Sequence, residues 1–155
     1  MTSCGLNGGP LAGKGTYPAY IACNLFTNVD SVYTGGSGGN GFWMDARFPK
    51  ITQDGRDGDE EPGYIANMTE GATCGFKYFD CRGVTRVGIR ARGYAGGYFA
   101  VKTAWDGPEL GRIPVRYTSL WTDYDADIAI PDGITAIYIA YHGQGSAQLA
   151  SFTLA

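Results

Sequence analysis

At 155 residues the chain fits one domain with a core of its own, and 25 glycines, 7 prolines, 14 % aromatic and only 17 % charged residues exclude both a helical bundle and a disordered chain. A net charge of −3 offers no general attraction to phosphate backbones or anionic lipid, and no apolar run is long enough to span a bilayer. Neither nucleic acid nor membrane is expected as a partner.

In chain order, residues 1–16 carry Asn7-Gly8-Gly9-Pro10 and Gly13-Lys14-Gly15, too rich in turn formers for a regular element, and read as an N-terminal arm. The beginning lacks the charged, apolar, small-residue order of a secretory signal. Met1 is read as a cloning start, with the localisation signal elsewhere in a larger protein. Residues 17–26 (YPAYIACNLF) give the first strand, with Pro18 at its start or at a sheet edge. Residues 27–41 form a Gly-Ser-Asn loop, which is no phosphate loop because no Gly-Lys-Ser/Thr follows. Residues 42–48 (FWMDARF) alternate as a half-buried strand.

The acidic stretch 53–63 (QDGRDGDEEPG) is open to three readings: a calcium loop, hydroxyl acceptors for a ligand, or a solvated loop. Its spacing does not match the twelve-residue EF-hand pattern. Within 64–80 a strand starts near Thr73, with Cys74, Phe76 and Tyr78 opposed to Gly75, Lys77 and Phe79. Residues 84–92 form the clearest strand, placing Thr85, Val87, Ile89 and Ala91 on one face and Arg86, Gly88, Arg90 and Arg92 on the other. The three arginines are either ordinary solvent-facing charges or a row able to bind stacked rings or carboxylates.

A glycine pair at Gly96-Gly97 opens the next strand, which turns at Asp106-Gly107-Pro108 and returns as 110–115. The segment reaching Trp121 reads as loop. Strands follow at 125–130, 134–142 and 148–154, separated by turns at Pro131-Asp132-Gly133 and Gly143-Gln144-Gly145. Eight to ten strands without a helix or an internal repeat give an all-β fold in a single domain over 1–155, at the turn spacing of a sandwich or jelly roll.

The cysteines Cys4, Cys23, Cys74 and Cys81 show no C-x-x-C spacing, so neither zinc nor redox chemistry is supported. Cys74 and Cys81, an odd number of residues apart on one strand, should point to opposite faces and not bridge; Cys4 with Cys23 stays open.

Catalysis finds little footing. The single histidine, His142, has no G-x-S-x-G elbow to serve and reads as a structural or surface group. A glycosidase pair needs two carboxyl groups facing each other across a cleft, and Glu60, Glu61, Glu70 and Glu109 all fall in loops or turns. What stands out is Tyr64 and Trp121, aromatic rings beside strand ends that together would make a slot about as wide as a pyranose.

The run GGYFAVKTAWDGPELGRIPV, then Trp121, then DGITAIYIAYHG and QLASFTL resembles the family 6 carbohydrate-binding modules, as does the strand entry in YIANMTEGATCGFKYFD. The resemblance covers 64–155, and SCGLNGGPLAGKGTYPAYIAC and ITQDGRDGDEEPGYIANM are similar to the C-terminal region of family 43 glycoside hydrolases acting on arabinoxylan. It implies a β-sandwich jelly roll of two antiparallel sheets, a non-catalytic module that sandwiches a sugar between Tyr64 and Trp121, with Gln148 where the family places an asparagine. Asn67 and Asp123 are further candidate hydroxyl partners.

The implied function is targeting of an appended hemicellulase to xylan or arabinoxylan, with a catalytic glycosidase domain in cis, outside the cell or on its surface in a larger bacterial enzyme. The competing expectations are a packing domain that binds no sugar and a small jelly-roll glycanase. No cofactor is assigned; a structural calcium is the one candidate ion. The family's calcium ligands are an aspartate two residues after the asparagine and glutamates in the first strand, where this chain has Ala150 and Ile21-Ala22-Cys23-Asn24. The resemblance also implies a second cleft on a concave sheet face, to which no residue is assigned.

Overall fold

The computed structural model describes residues 11–22, 24–26, 49–53, 63–105 and 107–155. The Gly-rich loop 27–41, the strand at 42–48, most of the acidic stretch, the Cys4–Cys23 pair and Asp106 of the turn lie outside the described residues. The strands are β1 (Leu11–Ala12), β2 (Gly15–Pro18), β3 (Asn24–Phe26), β4 (Lys50–Gln53), β5 (Gly63–Met68), β6 (Thr73–Cys81), β7 (Val84–Lys102), β8 (Gly111–Val115), β9 (Thr118–Ile130) and β10 (Gly133–Leu154). A 3-10 turn, Ala19–Ile21, divides the expected first strand. Residues 11–18, assigned largely to an arm, are paired instead: β1 runs parallel to β6, and β2 antiparallel to the end of β10.

The architecture is a β-sandwich jelly roll whose layers share two long strands. β7 and β10 run antiparallel along nearly their whole lengths, from Tyr138 opposite Lys102 to Leu154 opposite Val87. The first part of β7 borders β9 and its last part borders β8; the first part of β10 borders β6 and its last part β5 and β2. Because the two layers share β7 and β10, hydrogen bonds join all ten described strands into one network. Glycine allows the sharing. Gly143-Gln144-Gly145 reads as a turn and Gly96-Gly97 as the opening of a new strand, yet both only bend two strands that stay paired.

At Gly145 φ is +74°, and a Cβ there would lie 1.8 Å from the Tyr94 carbonyl oxygen, so only glycine lets the strands approach. The buried Tyr141 secures the bend, its hydroxyl donating to the Gln144 carbonyl and accepting from the Gly96 amide at 3.1 Å. Burial raises the pKa of that hydroxyl.

Between the layers, Phe152 of β10 meets Phe76 and Phe79 of β6 at centroid distances of 4.5 and 5.8 Å. Tyr17 closes on Phe79 at 5.1 Å. Burying each such ring contributes roughly 1.5–3 kcal/mol. On β6 the alternation breaks: Phe76 opposes Ile137 but Phe79 opposes Thr135, so β6 carries one extra residue, a bulge. Parity flips there, turning Tyr78 out (52 % exposed) and Phe79 in (0 %), the reverse of the sequence expectation. The same flip puts Cys74 and Cys81 both in the core rather than on opposite faces. They are free thiols, separated along the strand by roughly 23 Å at the usual strand rise.

Candidate functional site

Four strands bring the site together. β5 is held between β4 and β10; Ile65 and Met68 enter the main core while Tyr64 and Ala66 face the other way. β9 pairs with β7 so that Trp121, Asp123, Asp125 and Asp127 share the outer face with Arg86, Arg90 and Arg92. Gln148 stands opposite Arg92 on β10. Tyr64, Ala66 and Ala150 form a small outer cluster against which Trp121 packs. Both rings thus sit on strands, not on the loops expected for them, because residues 118–124 continue the alternation of β9 and 63–68 that of β5.

Tyr64 and Trp121 meet edge to face, with centroids 5.4 Å apart and planes at 65°. That is no open slot. A pyranose between two rings needs roughly 7–8 Å, one carbon contact of 3.5–4 Å on each face. The space is taken by Arg92, whose guanidinium carbon lies 4.3 Å from the Trp121 centroid and 5.2 Å from that of Tyr64. Its Nε donates to Gln148 Oε1 at 2.5 Å, a charge-assisted bond that fixes both side chains. Tyr64 is 7 % exposed, so the outer face of this cluster belongs to Trp121, Arg92 and Gln148. Beside it opens a cleft of about 290 Å³ lined by Arg92, Gln148, Tyr94, Thr118, Ser119 and Ser146.

The remaining expected contacts fall elsewhere. Asp123 bonds Arg90 at 3.1 Å and lines a separate, larger hollow of about 510 Å³ along β7, β9 and β10. Asn67 is the penultimate residue of β5, at a φ of 62°, three residues beyond Tyr64. The row of three arginines is neither wholly solvent-facing nor wholly open to ligand: Arg86 bridges Asp125 and Asp127 across strands, at 3.0 and 2.6 Å, and Arg90 takes Asp123.

The hydrogen bond from Arg86, followed by its charge, holds the Asp125 carboxyl below the ordinary range. A depressed carboxylate contributes stability above its unfolded pKa, and that contribution disappears as pH falls through the folded value. We therefore expect the carboxyl-carbon NMR titration of Asp125 to have its midpoint below that of an ordinary aspartate and Arg86→Ala to raise it; coincident curves would show that the pair does not persist in solution.

Two of the four glutamates are engaged with basic side chains. Glu70 Oε2 lies 2.6 Å from Nδ1 of His142, whose ring also packs on Tyr98, and Glu109 bonds Arg112 at 2.7 Å. Glu60 and Glu61 lie outside the described residues. For calcium, the side chain of Ala150 is a methyl group where an aspartate would be needed, and the side chains of Ile21 and Ala22 carry no oxygen. Among the described residues no group of three or more His, Cys, Asp or Glu could hold a metal ion. The described side chains at these positions do not form the ligand set that the resemblance implies.

Sequence reasoning noticed Arg92 only as one of a row and passed over Tyr94 and Tyr117. Tyr94 lines the cleft, and Tyr117 stacks on it at 4.7 Å. The available signal was an exposed tyrosine in a polar, glycine-bearing context, the reasoning applied to Trp121.

No family model matches the chain. It is 61 % identical over 154 residues to a xylosidase/arabinosidase of Thermoclostridium stercorarium, the match covering 99 % of this chain and 32 % of that protein. The chain thus spans about a third of the length of the curated relative it matches. In structure it is similar to a family 6 carbohydrate-binding module of Clostridium stercorarium solved with cellobiose, at a TM-score of 0.71 and 18 % identity, over 96 % of this chain and 98 % of the other. A family 6 module of Clostridium cellulolyticum solved with xylose gives a TM-score of 0.71 and 15 % identity, over 93 % and 98 %. The chain has the jelly-roll fold of the family 6 carbohydrate-binding modules that its sequence resembles.

Proposed function

We propose that the chain is a non-catalytic glycan-binding module that holds an appended hemicellulase on xylan or arabinoxylan. One observation carries this reading: Tyr64, Trp121 and Gln148, the three positions that the family resemblance implies, are remote in sequence yet form one cluster at the edge of a cleft. Trp121 supplies an apolar face for a sugar ring, and Arg92 and Gln148 supply donors for its hydroxyls. The sugars held by the similar modules, xylose and cellobiose, support the ligand class. Identity to part of a xylosidase/arabinosidase supports a catalytic domain in cis, working on a wall polysaccharide outside the cell or on its surface. Among the described residues no helix is long and apolar enough to cross a membrane.

Titration calorimetry of the chain with xylohexaose and cellohexaose, with reducing ends assayed in the same samples, tests the reading. Saturable heat with xylohexaose in the micromolar to millimolar range, and no new reducing ends, is the expected result. New reducing ends would instead establish a small glycanase. A second reading, a domain that packs against its catalytic partner, is favoured by the position of Arg92 between the rings. Silence with both sugars at millimolar concentration would favour it.

A further inference from the structure

We propose that Tyr94 and Tyr117 form a second stacking platform, so that the cleft holds an additional pyranose ring of the same oligosaccharide. This rests on the glycan-binding reading above and extends its site. The two rings lie nearly parallel, with centroids 4.7 Å apart and planes at 28°. They are 63 % and 69 % exposed. Folding alone gives no reason to expose two large rings: stacked on each other at the surface they bury little area, and each leaves a broad face open to water. As a platform they are well prepared, since each ring fixes the other and little rotamer entropy is left to lose on binding.

Their placement identifies the ligand. Tyr94 follows Gly93 and lines the same cleft as Arg92 and Gln148. Thr118, Ser119 and Ser146, each bearing a hydroxyl, complete its lining. An apolar face set against a row of neutral donors and acceptors matches a pyranose, apolar on its ring face and hydroxylated at its edge. At about 290 Å³ the cleft sits at the lower edge of the roughly 300–1,000 Å³ usual for small-ligand sites, room for one or two sugar rings. Thr118 and Ser119 precede Trp121 on β9 and line the cleft, as do Arg92 and Gln148 of the Trp121 cluster, and on this reading a chain stacked on Trp121 continues toward Tyr94. The ligand class is a neutral, extended oligosaccharide longer than a disaccharide.

The test is calorimetry of the 155-residue chain with xylobiose, xylotriose and xylohexaose, for the wild type and for Tyr94→Ala, Tyr117→Ala and Tyr94→Phe, with thermal melts to confirm folding. Wild-type affinity should rise with chain length. Each alanine variant should flatten that rise, with an affinity for xylohexaose about 3- to 10-fold below wild type. Tyr94→Phe keeps the ring and should keep the rise. Equal affinities of Tyr94→Ala and wild type for xylohexaose would overturn the platform while leaving the glycan reading in place, and would point to these rings as a contact for another domain. Absence of saturable heat from the wild type itself would overturn the glycan reading, and the platform with it.

Discussion

Trp121→Ala should lower the affinity for xylohexaose tenfold or more without unfolding the domain. The ring lies on the outer face of β9 against Tyr64, Ala66 and Ala150, a small cluster apart from the core that joins the two layers. Its removal therefore leaves the packing of Phe152, Phe76 and Phe79 intact. What disappears is the stacking face, and with it the surface on which Arg92 rests at 4.3 Å. A lost aromatic stack together with its buried area amounts to about 1.5–3 kcal/mol, or roughly 10- to 100-fold in affinity. Tyr64→Ala would be a poorer probe, because a ring only 7 % exposed contributes to packing whether or not a sugar is bound. Calorimetry paired with a thermal melt decides the matter. Unchanged affinity at an unchanged melting temperature would place the glycan elsewhere, and a collapsed melt would make Trp121 part of the structural core.

What could be read from sequence was local. The alternation of Val87, Ile89 and Ala91 against Arg86, Arg90 and Arg92 predicted the buried and outer faces of β7 from Val87 onward, though Thr85, expected on the buried face, is exposed where the register shifts after Val84; the turn chemistry at Asp106-Gly107-Pro108 predicted the β7–β8 hairpin, with Gly97 opposite Val115 and Val101 opposite Gly111. Both signals depend on neighbours within a few residues. The errors came where one residue changes the phase. The extra residue in β6 exchanged Tyr78 and Phe79, and glycines at the bends were read as ends of strands that run on. No sequence period reports a bulge or tells a bent strand from a turn, since glycine serves both.

The site was harder still, because residues 64, 92, 121 and 148 meet only when three cross-strand registers are fixed. Tyr64, Trp121 and Gln148 were found through family resemblance. Arg92 could not be found that way, for its place over the two rings follows from its pairing opposite Gln148 on β10 and from the adjacent pairing of Ala91 with Thr122 on β9.

The bend that produces those registers can be tested at one atom. Gly145→Ala is expected to destabilise the domain by about 3 kcal/mol and to weaken glycan binding in the protein that still folds. Two costs add. An L-residue at φ +74° carries roughly 1–2 kcal/mol of backbone strain, and the new Cβ would sit 1.8 Å from the Tyr94 carbonyl oxygen and 2.9 Å from its carbon. Those are backbone atoms of a paired strand, so relief requires β7 and β10 to part where Gly145 opposes Ala95.

Gly96→Ala is the matched control. Nothing lies within 4 Å of a Cβ placed there, and its effect should fall within about 1 kcal/mol of zero. Denaturant unfolding of both variants measures the difference, and equal stabilities would show that the bend does not depend on Gly145. Tyr94 is the residue displaced and Gln148 lies three positions further along the same strand, so stability and affinity should fall together in Gly145→Ala. In Trp121→Ala affinity alone should fall. That contrast separates a residue that shapes the cleft from one that touches the sugar.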